Sequence, residues 1–258
     1  MVGGERRRTA TFHPLTGRVE LEIQEARDAF ESYPSLVTHV LSASVASIGP
    51  VPFSPQVARA ISATDRQVLL LNLAAMMGGE ARWLQPKCPW CDHRFDVPIT
   101  YQDLPIVDAP GDYPVFQGKM GDRTIGLRVV TGVMEEKLAW IEDEKKAVAA
   151  LIDAVVDWGH GGPPSVLGAK ELNEIEAQLE AGSPAIADEI QSRCPYCGKD
   201  VVLELDFIDY VFEGGSILEE IHQIALQYHW SEPAIAALPR KRRRRYLKMI
   251  QAARGVEA

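Results

Sequence analysis

The sequence lacks the features of a secreted or membrane-spanning protein. Its 258 residues include only four cysteines, all in two Cys-x-x-Cys pairs, so none remains for the disulfide framework typical of small secreted domains. No apolar run approaches the ~18 residues that a membrane-spanning helix needs. The first residues, Met-Val-Gly-Gly-Glu-Arg-Arg-Arg, contain no apolar segment of the kind found in secretory signals. We therefore expect a cytoplasmic protein without a membrane segment.

Recognisable catalytic residues are also missing. The glycine-rich loop at residues 159–164 lacks the Gly-Lys-Ser/Thr ending of a phosphate-binding P-loop. Neighbouring carboxylates on a predicted helix are more typical of a solvated face than of an acid–base pair. No nucleophile, base and orienting group stand in a recognisable set. The sequence therefore predicts a non-enzymatic protein without a small-molecule substrate.

Charge is distributed unevenly along the chain, whose net charge is −9. Residues 240–258 contain eight Lys or Arg and one acidic residue, a balance of +7 that leaves −16 for the rest of the chain. A strongly acidic body with a basic tail can pair internally, bind a partner protein or contact a polyanion.

Two matching motifs use all four cysteines: Cys88-Pro89-Trp90-Cys91 and Cys194-Pro195-Tyr196-Cys197. Four thiolates offered by two such turns suit one tetrahedral Zn²⁺, with Zn–S distances of about 2.3 Å. A site with four protein sulfurs leaves no open position for water or substrate, which indicates a structural metal. We therefore predict one structural Zn²⁺ per chain, with Cys88, Cys91, Cys194 and Cys197 as its ligands.

The match between the two motifs continues beyond the cysteines. An alternating apolar run and then an aspartate follow each motif at the same spacing: Phe95, Val97, Ile99 and Asp103; Val201, Leu203, Leu205 and Asp209. Period-two alternation is typical of a half-buried strand. We therefore predict an α+β fold with a split four-cysteine zinc ribbon, whose two turn-plus-strand units are separated by residues 92–193. That interval is far longer than the usual spacing of such pairs.

Four other roles for the cysteines stay open at this point. Two structural disulfides are one, although a Cys-x-x-Cys bridge within a turn is strained and reducible. A thioredoxin-like redox site would need a βαβ context that the sequence does not show. An iron–sulfur cluster also uses four cysteines, but the strands after both motifs favour a ribbon. The fourth is a ribbon that has lost its metal. His93, two residues after Cys91, could be proposed as a ligand, but with four cysteines available it is interpreted as a surface residue.

The remaining segments predict a mixture of helices and strands. Strands are expected at residues 9–13, 18–23 and 123–130. Helices are expected at residues 24–45 with a break at Pro34, from Thr64 or Asp65 as the cap to 78, and at 133–156, 170–179, 185–192 and 216–229, with a short helix after Ser231 and a last one from Pro239. We divide the chain into an α+β region with the first cysteine pair (1–104), a mainly helical insertion (105–192), the second pair with its strand and helix (193–230), and a basic helical tail (231–258).

The basic run at residues 240–245 has two interpretations. Arginine contacts to phosphate dominate non-specific affinity for nucleic acid. However, six consecutive basic residues surround a helix instead of forming one stripe, the body is acidic, and the run contains no Asn or Gln to contact bases. Docking on the protein's own acids or on a partner protein is favoured, and a nucleic-acid-binding zinc-ribbon factor is the alternative. The candidate partner-binding residues are Trp230, Arg240, Arg242, Arg243, Arg244 and Arg245.

Two segments resemble proteins of contractile phage tails. Residues 64–73, Thr-Asp-Arg-Gln-Val-Leu-Leu-Leu-Asn-Leu, followed by a glycine, a Cys-Pro-x-Cys turn and a strand ending near Asp103, are similar to T4-type baseplate hub and assembly proteins. The ending at residues 221–232, with Trp230-Ser231-Glu232, resembles proteins encoded with phage tails and contractile injection systems.

This resemblance covers most of residues 10–104 and 193–250. It implies a non-enzymatic component or assembly factor of a tail baseplate, with other baseplate, hub or spike proteins as partners. It also implies incorporation in a phage-tail-like particle as one destination for the protein. It carries over no catalytic residue, and the four cysteines stand at the positions of metal ligands.

Overall fold

The computed structural model describes residues 8–79, 81–165, 167–253 and 255, which form a mixed helix-and-sheet fold. The first seven residues, where no signal segment is expected, lie outside this range, as do the last three of the basic tail. The helices are α1 (Gly17–Ala29), α2 (Tyr33–Ser44), α3 (Pro55–Ala60), α4 (Ala63–Gly78), α5 (Gly132–Leu138), α6 (Glu144–Val155), α7 (Ala169–Gly182), α8 (Phe207–Phe212), α9 (Ile217–Tyr228), α10 (Glu232–Ala236) and α11 (Arg240–Ala253). Among the described residues, no helix combines the length and apolar character required to span a bilayer.

The strands are short and pair in small antiparallel sheets. They are β1 (Ala10–Phe12), β2 (Val45–Ile48), β3 (Val51–Pro52), β4 (Ala81–Leu84), β5 (Val97–Thr100), β6 (Ile106–Val107), β7 (Val115–Met120), β8 (Arg123–Arg128), β9 (Val156–Asp157), β10 (Ala185–Ile186), β11 (Glu189–Arg193) and β12 (Asp200–Glu204). Two three-stranded sheets have the orders β1-β2-β3 and β7-β8-β9, and three two-stranded pairs join β4 to β5, β6 to β10, and β11 to β12.

Four apolar clusters organise these elements. The largest lies around α4, which is buried on several sides and packs on α2 and α8. A second lies under the β7-β8-β9 sheet and the helices α6 and α7. A small third cluster surrounds the cysteines, and a fourth joins α9, α10 and α11. The cluster around the cysteines adjoins the α4 core, because Leu84 and Ile190 pack against both.

Several expectations from the sequence are wrong. Residues 18–23 are part of helix α1, because its buried residues Gly17, Glu20, Ile23 and Ala26 recur at helical spacing. Residues 185–192 form strands β10 and β11, which pair with β6 and β12. The cap of α4 is Ser62, whose hydroxyl accepts the Asp65 N–H at 3.0 Å.

The segment at residues 105–192 contains more than helices. The predicted helix at 133–156 is two helices, because Asp143 begins α6 by accepting the N–H of Lys146 at 2.9 Å. The strand predicted at 123–130 is present as β8, between β7 and β9. At the base of the segment, β6 pairs with β10, so its beginning and end lie side by side.

A buried ion pair joins helix α5 of this segment to the main core. Arg66, at 1% exposure, pairs through Nε with Oε2 of Glu135 in α5 at 3.1 Å and donates to Thr38 Oγ1 at 2.9 Å. Burial lowers the pKa of Arg66, and Glu135 opposes that shift. A Cβ on Gly132 would lie 2.1 Å from Arg66 Nη1. Helix α5 therefore approaches α4 closely only because glycine begins it.

A second buried network joins α1 to the C-terminal helix. Glu20, at 2% exposure, pairs with Arg240 and Arg243; Arg243 Nη2 lies 2.6 Å from Glu20 Oε1. Arg243 Nε also contacts Glu220 Oε2 at 2.9 Å. Burial lowers the pKa of Arg240, and Glu20 opposes that shift. A Cβ on Gly17 would lie 2.8 Å from the Cα of Ala236. The backbone at the start of α1 is therefore in close contact with the backbone of α10.

We expect Glu20→Gln to destabilise the protein by about 3–5 kcal/mol, because it leaves buried Arg240 without a carboxylate partner and leaves buried Arg243 with Glu220 alone. Urea unfolding followed by circular dichroism measures the change. Glu25→Gln, on the exposed side of the same helix, is the control and should change the free energy of unfolding by less than about 0.5 kcal/mol. Equal stability of both variants would show that the network contributes nothing.

Candidate metal centre

Each cysteine pair lies at the tip of a β-hairpin. In the first hairpin Leu84 of β4 pairs with Val97 of β5, and the chain between them carries Cys88 and Cys91. In the second hairpin β11 and β12 pair from Glu189↔Glu204 to Arg193↔Asp200, and the tip carries Cys194 and Cys197. The sequence predicted only the strand after each pair. The structure adds the strand before it.

The two tips have the same backbone geometry. Cys88 N–H donates to His93 O and Asp92 N–H donates to Cys88 O, both at 2.9 Å. In the second tip Cys194 N–H donates to Lys199 O and Gly198 N–H to Cys194 O, again both at 2.9 Å. The residue after each second cysteine has a left-handed conformation, with φ of 66° at Asp92 and 70° at Gly198. Each turn therefore curls its two sulfurs to one side.

The hairpins bring the four sulfurs together. Cys88 Sγ lies 3.7 Å from Cys197 Sγ, and Cys91 Sγ lies 3.7 Å from Cys194 Sγ. All four sulfurs lie within 4.8 Å of one another. A tetrahedron of sulfurs about 2.3 Å from a central ion has edges of about 3.8 Å. The cluster therefore has the size required to hold one metal ion.

The cysteines are not joined by disulfides. The sulfur separations of 3.7 Å are far above the S–S bond length of about 2.05 Å. Two disulfides within the turns, one of the alternatives for these cysteines, are not what the structure contains. The thiols Cys88 and Cys194 are buried, Cys91 is half-buried and Cys197 is exposed, so the site lies at the edge of the molecule.

Mutual hydrogen bonding perturbs the thiols. Burial acts to raise the pKa of Cys88, but hydrogen bonds from the backbone of Trp90 and Cys91 and from neighbouring thiols outweigh it and lower that pKa to about 7. At Cys91 a backbone hydrogen bond from His93 acts to lower the pKa, but burial and the neighbouring thiols raise it to about 12. The thiolate form is thus favoured at Cys88 and opposed at neighbouring Cys91. A bound cation would favour the thiolate form of both cysteines.

Aromatic residues at matching positions of the two turns contact the opposite hairpin. Trp90, in the first tip, donates through Nε1 to Asp200 O at 3.3 Å and lies under Lys199 Nζ, 4.4 Å from the ring centre. Tyr196, in the second tip, stacks on His93 with ring centres 4.6 Å apart. Each aromatic ring thus contacts the other hairpin. The sequence analysis did not predict these contacts. The signal for them was the aromatic residue directly before the second cysteine in both motifs.

An apolar layer supports the hairpins below the sulfurs. The buried residues Phe95 and Val97 of the first unit pack with Val201 and Leu203 of the second, and Leu84 and Ile190 border them. Three pairs of these residues are separated in the sequence by the same number of residues as Cys88 and Cys194: Phe95 and Val201, Val97 and Leu203, Leu84 and Ile190. The two units therefore form a pseudo-symmetric pair around the cysteine cluster.

The other candidate residues are not part of the sulfur cluster. His93 is exposed, as predicted, and stacks on Tyr196 without joining the sulfur cluster. The assignment of partner contacts to Arg240 and Arg243 is wrong, because both side chains are buried on Glu20. The other four candidates, Trp230, Arg242, Arg244 and Arg245, lie at the surface.

Comparison with known proteins places the chain in no family. It matches no protein-family model, no curated protein and no solved structure.

The backbone of the second turn provides a test of this geometry. Gly198→Ala should destabilise the protein by about 1–2 kcal/mol, because a left-handed residue with a side chain is strained even though open space surrounds it. Asp92→Gly removes the corresponding strain and should stabilise by up to about 1 kcal/mol, since its exposed ion pair with Lys87 contributes little.

Urea unfolding of the two variants measures both effects. Gly111→Ala is the matched control, because Gly111 also faces open space but is not left-handed. Equal effects of Gly198→Ala and Gly111→Ala would contradict the turn geometry.

Proposed function

We propose that the four cysteines bind one structural Zn²⁺ and that the two hairpins form a split zinc ribbon. The observation that carries this proposal is the packing of four reduced sulfurs within 4.8 Å of one another at the tips of two equivalent turns. Tetrahedral sulfur sites select zinc or iron among the common metals. A cluster of several irons would hold its sulfurs further apart than one ion does, so a single metal fits the spacing better.

The site is structural in this proposal because four protein sulfurs complete a tetrahedron. Such a site offers no position for substrate or for an activated water. Its role is to join the hairpin before residues 105–192 to the hairpin after them. The metal therefore contributes to the free energy of folding, and we propose that the protein as a whole acts as a scaffold.

We expect elemental mass spectrometry to find one zinc per chain in the wild-type protein purified without added metal. Cys88→Ser and Cys194→Ser should each lose it and lower Tm by about 10 °C, because either change breaks the link between the hairpins. His93→Ala, beside the cluster, should keep its zinc. Iron in place of zinc, a well-folded wild type without metal, or zinc retained by Cys194→Ser would contradict the proposal.

The scaffold is further proposed to serve the baseplate of a contractile tail or injection system, as a component or an assembly factor. The support is the resemblance of residues 64–73 and 221–232 to such proteins. In the structure these stretches lie in α4, the helix at the centre of the main core, and in α9 with the turn after it. The first therefore specifies the interior, whereas Trp230-Ser231-Glu232 is at the surface.

Deletion of the gene from the genome that encodes it tests this role. We expect electron microscopy of the producing cells to show no complete sheathed tails, and a plasmid copy of the wild type to restore them. The Cys194→Ser copy should restore fewer, in proportion to its lower folded fraction. Normal numbers of complete tails without the gene would contradict the baseplate role and leave the zinc site unaffected.

A further inference from the structure

The basic helix α11 has three distinct sides. Its inner side carries Arg240, Arg243 and Ile250, all buried. A second side carries Lys241, Arg244 and Lys248, which are exposed; Arg244 reaches the carbonyl of Met77 at 3.3 Å. A third side carries the exposed residues Arg242, Arg245 and Met249 together with half-buried Tyr246. The run of six basic residues is thus divided by the packing of the helix.

The inner cations are already neutralised. Arg243 forms ion pairs with both Glu20 and Glu220, and Arg240 forms an ion pair with Glu20. By contrast, Arg242 and Arg245 form no ion pair with any carboxylate in the part of the chain that the structure describes. Two like charges three residues apart on a helix repel each other. Glu20 and Glu220 are therefore paired with the inner arginines, and the outer arginines are left for another molecule.

An aromatic group adjoins the outer arginines. Trp230 packs on Tyr246 with ring centres 5.1 Å apart and an interplanar angle of 84°, and on Tyr228 at 5.3 Å. Arg242 in turn lies 6.0 Å from the centre of the Tyr246 ring. Trp230 remains 37% exposed and Met249 60% exposed. We call Trp230, Arg242, Arg245, Tyr246 and Met249 the tail surface.

The composition of the tail surface is that of a protein interface. Tryptophan, tyrosine, methionine and arginine are the residue types enriched where proteins bind each other, and the first two with arginine carry most of the binding energy. The ring contacts hold Trp230 in place before binding, so little side-chain entropy is lost there. Guanidinium groups bind carboxylates through two parallel hydrogen bonds. The surface therefore combines an apolar anchor point with two carboxylate receptors.

We propose that the tail surface binds an acidic segment of a partner protein, with carboxylates on Arg242 and Arg245 and an apolar side chain against Trp230 and Met249. This inference rests on the proposed scaffold role and names the class of partner. A nucleic acid would satisfy the arginines, but apart from its sugar carbons and the thymine methyl it offers no aliphatic group to cover Met249. The acidic body of the chain, at −16 outside the tail, also repels a long polyanion more than a short acidic segment.

A displayed library of random dodecapeptides, selected on the full-length protein, supplies the probe. We expect enrichment of peptides that combine several Asp or Glu residues with an aromatic or aliphatic residue. Fluorescence anisotropy of the enriched peptides should show about tenfold weaker binding to Arg242→Glu/Arg245→Glu and a smaller loss with Met249→Ser. Binding should also weaken with added salt, because the arginines are exposed.

Lys241→Glu/Lys248→Glu is the matched control, because it makes the same charge change on the other exposed side of α11. If both double variants lose affinity equally, the tail carries only a diffuse charge and the proposal is wrong. Enrichment of peptides without acids would overturn it as well. So would tighter binding of a DNA duplex than of the selected peptides, or self-association of the wild type that Arg242→Glu/Arg245→Glu abolishes.

Metal content measured on the same samples separates this inference from the zinc proposal. The tail variants should keep the metal content of the wild type, because α11 lies outside the cysteine cluster. Peptide binding by a protein without zinc would refute the metal site alone. Zinc in a protein whose tail variants bind as well as the wild type would refute the tail surface alone.

Discussion

The meeting of the two cysteine turns is the contact on which the rest of the fold depends. The chain leaves the first turn, builds the β7-β8-β9 sheet with three helices, and must return so that Cys194 and Cys197 lie beside Cys88 and Cys91. The pairing of β6 with β10 makes the same closure a short distance away. Closing so long a loop costs conformational entropy, and a metal bound by both ends would offset that cost in the folded state only.

The equivalence of the two hairpins explains why each needs the other. Neither two-stranded hairpin has enough apolar surface to be stable alone. Packed together they share one apolar layer, and each contacts the other through the aromatic residue between its cysteines, Trp90 or Tyr196. The cysteine cluster therefore connects two distant parts of the chain, the hairpin before residues 105–192 and the hairpin after them. It differs in this from a local site with both cysteine pairs on one short segment.

Sequence patterns revealed the parts of this arrangement that are local. The turns, the strands after them and helix α9 with its Ser216 cap follow from short-range signals. Strands β4 and β11 gave no such signal, since β11 consists mostly of exposed polar residues and is a strand because β12 pairs with it. The first half of helix α1, residues 18–23, was mistaken for a strand because buried Glu20 counted as a polar position. Only the distant arginines of α11 make that glutamate an interior residue.

The same pairing of Glu20 with distant arginines determines what the C-terminal helix presents to its surroundings. A helix of six successive cations has no intrinsic preference for which of them faces inward. Desolvating Arg243 is favourable only where Glu20, Glu220 and the Leu238 carbonyl receive its donors. Once Arg240 and Arg243 are fixed there, helical geometry sends Arg242 and Arg245 to the side next to Tyr246 and Trp230. The buried network therefore specifies the orientation of the surface as well as the packing of the core, although the two share no residue.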